Sequence, residues 1–172
     1  MSNVIKASAA YVGTDQPAVI GKVYEQLFTD ASGNDLVRYV RCFKAGGTIT
    51  AGQMVGCAGT SGEKAMYEVG TCVAVPAANS ARNLVYGMSL SALTSGQYGF
   101  AVCKGVVEDL SCNGSTTIGE QLATHSTAGM VTDTGAIGSA GESFLVIGIC
   151  LSNLDSTLTA STTKCKAYIN VL

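Results

Sequence analysis

From Gly46 onward, short apolar stretches alternate with clusters of Gly, Ser, Thr and Asn. This spacing is typical of strands joined by turns in an antiparallel sheet. Segment 166–172 alternates apolar and polar residues, as a half-buried terminal strand does. We therefore predict an all-β protein with a compact antiparallel β-sandwich or barrel-like core. At most short helices are expected, and the best candidate is 77–82. Asn113-Gly114 predicts a tight turn with positive φ at both residues.

The middle of the chain recurs imperfectly near its end. Segment 85–93, VYGMSLSAL, is matched 61 residues later by VIGICLSNL at 146–154. Segment 100–107 is then matched by 162–169 at an offset of 62. This alignment places Cys103 on Cys165 and Lys104 on Lys166. A looser likeness joins 48–54 to 117–122. Because apolar residues and glycines recur rather than reactive groups, we predict two related β-units, about 46–110 and 115–172, that share a core.

Residues 1–45 differ from the remainder, mixing turn signals with short amphipathic pieces. They hold too much apolar surface for a solvated tail and too many turns for an independent domain. We predict an extended N-terminal arm at 1–45 that docks on a partner or a neighbouring subunit, followed by a core domain at 46–172. Segment 20–28 fits one face of a helix or a strand with a turn equally well. The expected contact residues are Val4, Ile5, Tyr11, Val12, Ile20, Val23, Tyr24, Leu27 and Phe28.

Composition narrows the range of partners. Hydrophobic residues make up 47% of the chain and charged residues only 13%, with a net charge of −2. Such a surface repels copies of itself weakly, which suits packing against those copies or against a large partner. The basic residues form no cluster, so nucleic acid is not expected as a partner. The longest apolar run, 144–151, is too short to cross a bilayer, and the N-terminus lacks the apolar stretch of a secretory signal.

Seven cysteines are spread among small apolar residues, and none stands in a Cys-x-x-Cys motif. We expect reduced, buried thiols that fill space in the core. Disulfides formed after release from the cytoplasm are the alternative, because cytosolic thiols stay reduced. No metal is expected, since the lone His125 has no cysteine near it in sequence. The cysteines are Cys42, Cys57, Cys72, Cys103, Cys112, Cys150 and Cys165.

The search for catalytic motifs predicts a protein that is not an enzyme and takes no cofactor. The glycine-rich stretch 56–64 resembles a phosphate loop, but Glu63 separates its last glycine from the lysine. His125 is followed by Ser126, and strand neighbours point to opposite faces, so the two would not pair directly. The carboxylates near strand ends are expected to be solvated. These are Glu108, Asp109 and Asp133.

Three segments carry a resemblance to a known group of proteins. Segments 32–41 (SGNDLVRYVR) and 45–53 (AGGTITAGQ) resemble a run found in small structural proteins of tailed bacteriophages. Segment 93–102 (LTSGQYGFAV) resembles the Gly-Gln-x-Gly-x-apolar strand of those proteins and of capsid decoration, or cement, proteins. The likeness extends over roughly residues 20–172. The seven cysteines and the long N-terminal region depart from the shorter members.

The resemblance implies a β-rich homotrimer on the outer surface of the mature head, at threefold or quasi-threefold positions. It implies an N-terminal arm that contacts the major capsid protein. We therefore expect a non-enzymatic virion protein that stabilises the capsid, is made and assembled in the host cytoplasm, and has the major capsid protein and its own copies as partners. The alternative is a head-fibre or adhesin-type module that recognises a host surface glycan.

Overall fold

A computed structural model describes residues 11–57, 71–74, 85–114, 116–125, 127–134, 146–153 and 163–171. In these segments the chain forms ten β-strands and no α-helix, which confirms the all-β prediction. The predicted helix at 77–82 and most of the glycine-rich stretch at 56–64 lie outside the described residues. The strands are β1 (Val23–Thr29), β2 (Asp35–Ala45), β3 (Met54–Cys57), β4 (Thr71–Ala74), β5 (Val85–Ser89), β6 (Tyr98–Cys112), β7 (Gln121–Thr124), β8 (Val131–Asp133), β9 (Val146–Asn153) and β10 (Thr163–Asn170).

The strand pairings close into two rings that share β6. In the first ring, unit 1, the order is β2-β4-β3-β5-β6, and β6 pairs back to β2. In the second, unit 2, the order is β6-β8-β7-β9-β10, and β10 pairs back to β6. Each ring has one parallel pair at the same place, β2 with β4 and β6 with β8. The core is therefore barrel-like and built from two related units.

Strand register confirms the first half of the predicted repeat. Met54 of β3 lies opposite Met88 of β5, and Gln121 of β7 lies opposite Ile149 of β9. The register then shifts at the same step in both units, which is the mark of a β-bulge in the same position. Residues 85–89 of unit 1 therefore correspond to 146–150 of unit 2, as the sequence predicts.

The second half of the repeat is aligned differently from the prediction. Val102 of β6 lies opposite Met88, the residue after Gly87 of β5. Tyr168 of β10 lies opposite Ile149, the residue after Gly148 of β9, so Val102 and Tyr168 occupy the same position. Cys103 therefore does not correspond to Cys165, and the lysines that follow them do not correspond either. That part of the sequence prediction is wrong, because backbone hydrogen bonds fix a register that apolar alternation alone leaves open.

A Thr-x-Gly-x turn leads into four of the strands. In each turn the N–H of the fourth residue donates to the threonine carbonyl oxygen at 3.1–3.2 Å. The glycine has a φ between +75° and +90°, the conformation that the third position of a type II turn requires. The strand begins two residues after the glycine in every case. The turns are 50–53 before β3, 94–97 before β6, 117–120 before β7 and 127–130 before β8.

The turn predicted at Asn113-Gly114 takes another form. Gly114 has a φ of +80°, but Asn113 does not have a positive φ, so the predicted conformation is wrong. The Asn113 N–H donates to the Val131 carbonyl oxygen at 2.8 Å. This bond prolongs the parallel pairing of β6 with β8 and holds Asn113 out of a two-residue hairpin.

The predicted arm is wrong from Val23 onward. Residues 23–29 form β1, which pairs along its whole length with β2, so the strand alternative for segment 20–28 is the one observed. Strand β2 belongs to unit 1, where Phe43 and Ala45 lie in the interior of the ring. The sequence hides this strand because Arg38 and Arg41 interrupt its apolar pattern although both are buried.

Residues 11–22 lie along the outside of unit 1. The Tyr98 N–H donates to the Gly13 carbonyl oxygen at 2.7 Å, and Ile20 forms a single β-bridge with Cys42. The Gly21 N–H donates to the Tyr86 hydroxyl at 3.0 Å, and that hydroxyl donates to the Cys42 carbonyl oxygen at 2.8 Å. This segment is thus bound to the chain's own core.

The loop between β1 and β2 is anchored to unit 2 by a buried carboxylate. Asp30 accepts hydrogen bonds from the Asn34 N–H at 2.8 Å and from Lys166 Nζ at 3.1 Å. Lys166 also lies 3.5 Å from Glu108, which accepts the Ala31 N–H. The hydrogen bond from the Asn34 backbone, with the help of Lys166, lowers the pKa of Asp30 to about 2.

The turn at 50–53 attaches unit 1 to the far half of β6. The Ser111 N–H donates to the Gly52 carbonyl oxygen at 2.9 Å. Lys164 Nζ donates to the carbonyl oxygens of Ala51 and Asp109, both at 3.0 Å. The glycine is required here, because a side chain at this position would run into the backbone of β6.

We expect Gly52→Ala to destabilise the protein more than Gly96→Ala. The two glycines have φ values of +87° and +90°, so a backbone cost of about 1–2 kcal/mol is common to both substitutions. A Cβ at Gly52 would collide with the Asp109 carbonyl oxygen, whereas at Gly96 it would meet open space. The collision should add about 1–3 kcal/mol, measured as the difference between the two unfolding free energies in urea. Equal losses would contradict the close contact at Gly52.

The Asp30 anchor should make stability depend on pH in acid. Because the folded pKa of about 2 lies below the ordinary value of 3.8, the ionised form stabilises the fold. This contribution is complete above pH 3.8 and is lost as the pH falls through about 2. The gap in unfolding free energy between wild type and Asp30→Asn should therefore shrink as the pH falls from about 4 to about 2. A gap that stays constant would contradict the assignment; Asp35→Asn, exposed in the same hairpin, is the control.

Candidate binding surface

The outer surface of unit 2 carries an exposed, largely apolar strip across β7, β9 and β10. Gln121 lies opposite Ile149, and Ile149 lies opposite Tyr168, so their side chains form a row across the three strands. A shallow groove of about 300 Å³ runs beside this row, with Asn170 at one end. We refer to this surface as the open face, and its residues are Gln121, Val146, Ile149, Leu151, Tyr168 and Asn170.

The corresponding surface of unit 1 is buried. Ile149 is 44% exposed, whereas Met88, its counterpart by register, is 3% exposed. Tyr168 is 38% exposed and its counterpart Val102 is fully buried. The two units thus have the same strand order and register but opposite exposure on this side. The difference arises from what covers each unit, not from the pattern of the strand.

The chain itself covers the outer surface of unit 1. Met88 and Val102 belong to the larger of two apolar clusters, which also contains the interior side chains of unit 2, such as Leu122 and Ile147. Tyr11, Ala18, Ile20 and Tyr24, from the N-terminal segment and β1, pack against the same cluster. In the described part of the chain, nothing equivalent buries the open face of unit 2.

Glycine shapes the floor of the groove. A side chain at Gly148 of β9 would run into the carbonyl oxygen of Tyr168, so β9 and β10 approach closely at this point. Gly87 of unit 1 lies equally close to the Val102 carbonyl oxygen. The side chains of Ile149 and Tyr168 are exposed on either side of this close approach. None of the described residues that line the groove is charged.

An uncharged lining favours association. Covering the groove removes apolar area from water at a gain of roughly 25 cal/mol per Å² and leaves no ion desolvated. The nearest lysine on β10, Lys166, is engaged with Asp30 and Glu108 at the junction of the units. The amides of Gln121 and Asn170 add hydrogen-bonding groups at the border.

The contact residues predicted from sequence are dispersed. Tyr11, Ile20 and Tyr24 are half-buried against the core of their own chain, and their predicted role as partner contacts stays a prediction. Val23 and Phe28 are half-buried in β1, whereas Val12 and Leu27 are exposed. Val4 and Ile5 lie outside the described residues. Sequence reasoning missed the open face because Ile149, at its centre, is as apolar as its buried counterpart Met88.

His125, Glu108 and Asp133, which were considered for catalysis, make local hydrogen bonds, and Asp133 is buried, so the prediction that it is solvated is wrong. His125 lies in the β7–β8 loop, where its Nδ1 accepts the Thr127 N–H at 2.9 Å and Asn113 Nδ2 lies 2.8 Å from its Nε2. Glu108 is held in the Asp30 cluster, and Asp133 accepts a hydrogen bond from Thr117 at 3.2 Å. Among the described residues, no three His, Cys, Asp or Glu side chains come together as a metal site.

A small cavity of about 110 Å³ lies under the β1–β2 hairpin and is lined in part by Phe28, Arg38 and Glu108. The Arg38 guanidinium stacks on the Phe28 ring at 4.2 Å, and its Nε donates to Gln26 Oε1 at 2.7 Å. Burial lowers the pKa of Arg38 to about 10. The arginine is thus partnered within the hairpin, and the cavity is a packing gap between elements.

All seven cysteines are buried thiols, as the sequence predicts. Burial raises the pKa of Cys42 to about 11 and also raises the pKa of Cys103. Thiols with raised pKa values carry little thiolate near neutral pH and are poor nucleophiles. These two cysteines therefore act as space-filling side chains.

Within the segments that the structure describes, no helix has the length and hydropathy needed to cross a bilayer. Compared with known protein families and with curated proteins, the chain matches none of them.

We expect substitution of the two register-matched residues to have unequal effects on stability. Met88→Thr should cost about 2–4 kcal/mol, because it removes buried apolar volume and buries a hydroxyl. Ile149→Thr should change the unfolding free energy by no more than about 0.5 kcal/mol, since Ile149 is 44% exposed. Chemical denaturation of both variants measures this. Equal large losses would mean that the open face is covered within the monomer.

Proposed function

We propose that this protein is a non-enzymatic decoration, or cement, protein of a tailed bacteriophage. In this role it binds the outer surface of the mature head and stabilises it, with the open face of unit 2 as the attachment surface. The observation that carries the proposal is the unequal exposure of equivalent residues, above all Ile149 against Met88. The sequence resemblance of segments 32–53 and 93–102 to phage structural proteins supports the same role.

The physical argument rests on the chemistry of the open face. Its apolar side chains gain free energy when a partner covers them, and that gain is multiplied over many copies on a shell. Each contact can be small, because weak but specific interfaces bury less than about 1,200 Å² in total. A surface without charged residues in its groove suits a partner surface that is also apolar.

Two partners follow from this proposal. The first is the major capsid protein, against which the open face docks. The second is the chain itself, because a net charge of −2 over 172 residues opposes self-association only weakly. A homotrimer at threefold or quasi-threefold positions on the outer capsid surface would satisfy both. The predicted N-terminal contacts remain part of the proposal, and Val12 and Leu27 are the exposed ones among the described residues.

A second candidate function has one specific observation in its favour. Tyr168 lines the same shallow groove as the amides of Gln121 and Asn170. An aromatic face next to hydrogen-bonding amides is also able to hold a sugar ring, because the ring stacks on the apolar face while its hydroxyls bond the amides. The groove would then be the glycan site of a head-fibre or adhesin-type module.

Binding experiments with purified protein test the proposal. Wild type should bind emptied heads of the encoding phage and should be present in virions at, or at a simple fraction of, the copy number of the major capsid protein. Ile149→Lys should weaken binding to heads at least about tenfold, equivalent to about 1.4 kcal/mol. Leu27→Lys is the matched comparison, since Leu27 is also exposed but lies on β1.

The outcomes separate the alternatives. Loss of binding with Ile149→Lys alone supports attachment through the open face, and loss with Leu27→Lys alone supports attachment through the N-terminal region. Binding to host cells or isolated glycans, abolished by Tyr168→Ala, would favour the adhesin. Absence from virions, with no binding to heads, would overturn the decoration proposal.

A further inference from the structure

The interior of unit 2 contains a close pair of thiols. Cys112 Sγ and Cys165 Sγ are 3.0 Å apart, and both side chains are fully buried. They lie on the neighbouring strands β6 and β10, where Cys165 is opposite Leu110. A third thiol is near, since Cys150 interacts with Cys165 and its Sγ lies 3.4 Å from Thr116 Oγ1.

We propose that Cys112 and Cys165 form a modification site, which oxidises to a disulfide once the protein leaves the reducing cytoplasm. The bond length of a disulfide is about 2.05 Å, so the two sulfurs must approach by roughly 1 Å. Both side chains belong to the same buried cluster, and the two residues are diagonal neighbours across the paired strands β6 and β10. The bond itself is inferred from this geometry, whereas the release into an oxidising environment rests on the proposed function.

The oxidant that suits a buried pair is small. Hydrogen peroxide is small and uncharged, and it oxidises the pair in two steps. The thiolate of one cysteine attacks a peroxide oxygen, the O–O bond breaks, and a sulfenic acid and hydroxide form. The sulfur of the second cysteine then attacks the sulfenic sulfur, the S–O bond breaks, and water leaves with the thiol proton. In total, two thiols lose two electrons and peroxide is reduced to two waters.

The surroundings of the pair keep this reaction slow. The hydrogen bond with Cys112, together with burial, raises the pKa of Cys165, so the reactive thiolate is scarce. In the cytoplasm, reductants therefore easily keep the pair as thiols. Outside the cell no such reductant acts, and a slow oxidation runs to completion.

The bond would tie together the strands on which unit 2 depends. Strand β6 is shared by the two units, and β10 closes the second ring. A cross-link between Cys112 and Cys165 closes a long loop of chain and so restricts the unfolded state. It would also fix β10, which carries Tyr168 of the open face.

Peptide mapping of the full chain after dilute hydrogen peroxide tests the inference. The sequence has no Lys or Arg between Lys104 and Lys164, so trypsin releases Cys165 only in the dipeptide 165–166. Cleavage after glutamate separates Cys112, in segment 109–120, from Cys150. We expect the dipeptide to be attached to segment 109–120, Cys112 and Cys165 to be lost from alkylation, and the melting temperature to rise by about 5–10 °C. Reductant should reverse all three changes.

Variants distinguish this bond from other oxidation. Cys112→Ala and Cys165→Ala should each abolish the linked peptide, while Cys150→Ala should retain it. Cys103→Ala is a matched control, because its buried sulfur bonds the Tyr39 carbonyl oxygen at 3.3 Å in another part of the sheet. A dipeptide linked through Cys150 instead would overturn the assignment. Oxidation of Met130, in the same tryptic peptide, shows that peroxide has acted on the wild-type protein. If Cys112 and Cys165 are still alkylated in that sample, the inference is also overturned, and this test needs no variant.

Discussion

The shared strand β6 is the constraint on which the rest of the molecule depends. Its first half completes unit 1 by pairing with β2 and β5, and its second half completes unit 2 by pairing with β10 and β8. Ala101 points into the interior of unit 1, and the next residue, Val102, belongs to the larger cluster that fills unit 2. Because successive residues of a strand face opposite ways, the two units lie on opposite sides of β6. Neither ring closes without this strand, so separating the units would leave unpaired edges.

The sequence predicted the all-β class and the repeated unit because those features reside in local patterns. The equivalence of segments 85–89 and 146–150 rests on a glycine that must be small and on apolar neighbours that must be buried. The next strand was misaligned by an even number of residues, which leaves alternation unchanged and places apolar residues on the same side. Only the hydrogen-bonded register shows that Val102 corresponds to Tyr168 and that Cys103 does not correspond to Cys165.

The N-terminal region was misread for a different reason. Strand β2 carries Arg38 and Arg41, and hydropathy treats arginine as a surface residue. In the fold, Arg38 is buried between the Phe28 ring and the Gln26 amide, so its cost is offset by stacking and a hydrogen bond. Such compensation involves side chains on two strands and cannot be seen in either strand alone. The same holds for the Asp30 anchor, which joins residues that are far apart in sequence.

The open face was beyond sequence reasoning for a more basic reason, which also bears on function. Ile149 and Met88 are both apolar, and their strands have the same pairing, so nothing local separates the exposed one from the buried one. What differs is the cover of each unit, because the N-terminal segment, β1 and the interior side chains of unit 2 bury the outer surface of unit 1. In the described part of the chain, nothing equivalent buries the open face, which keeps Ile149 exposed at the position where unit 1 has the buried Met88. Because covering exposed apolar side chains gains free energy, our proposal places the partner contact on the open face and not in a pocket or at a charged site.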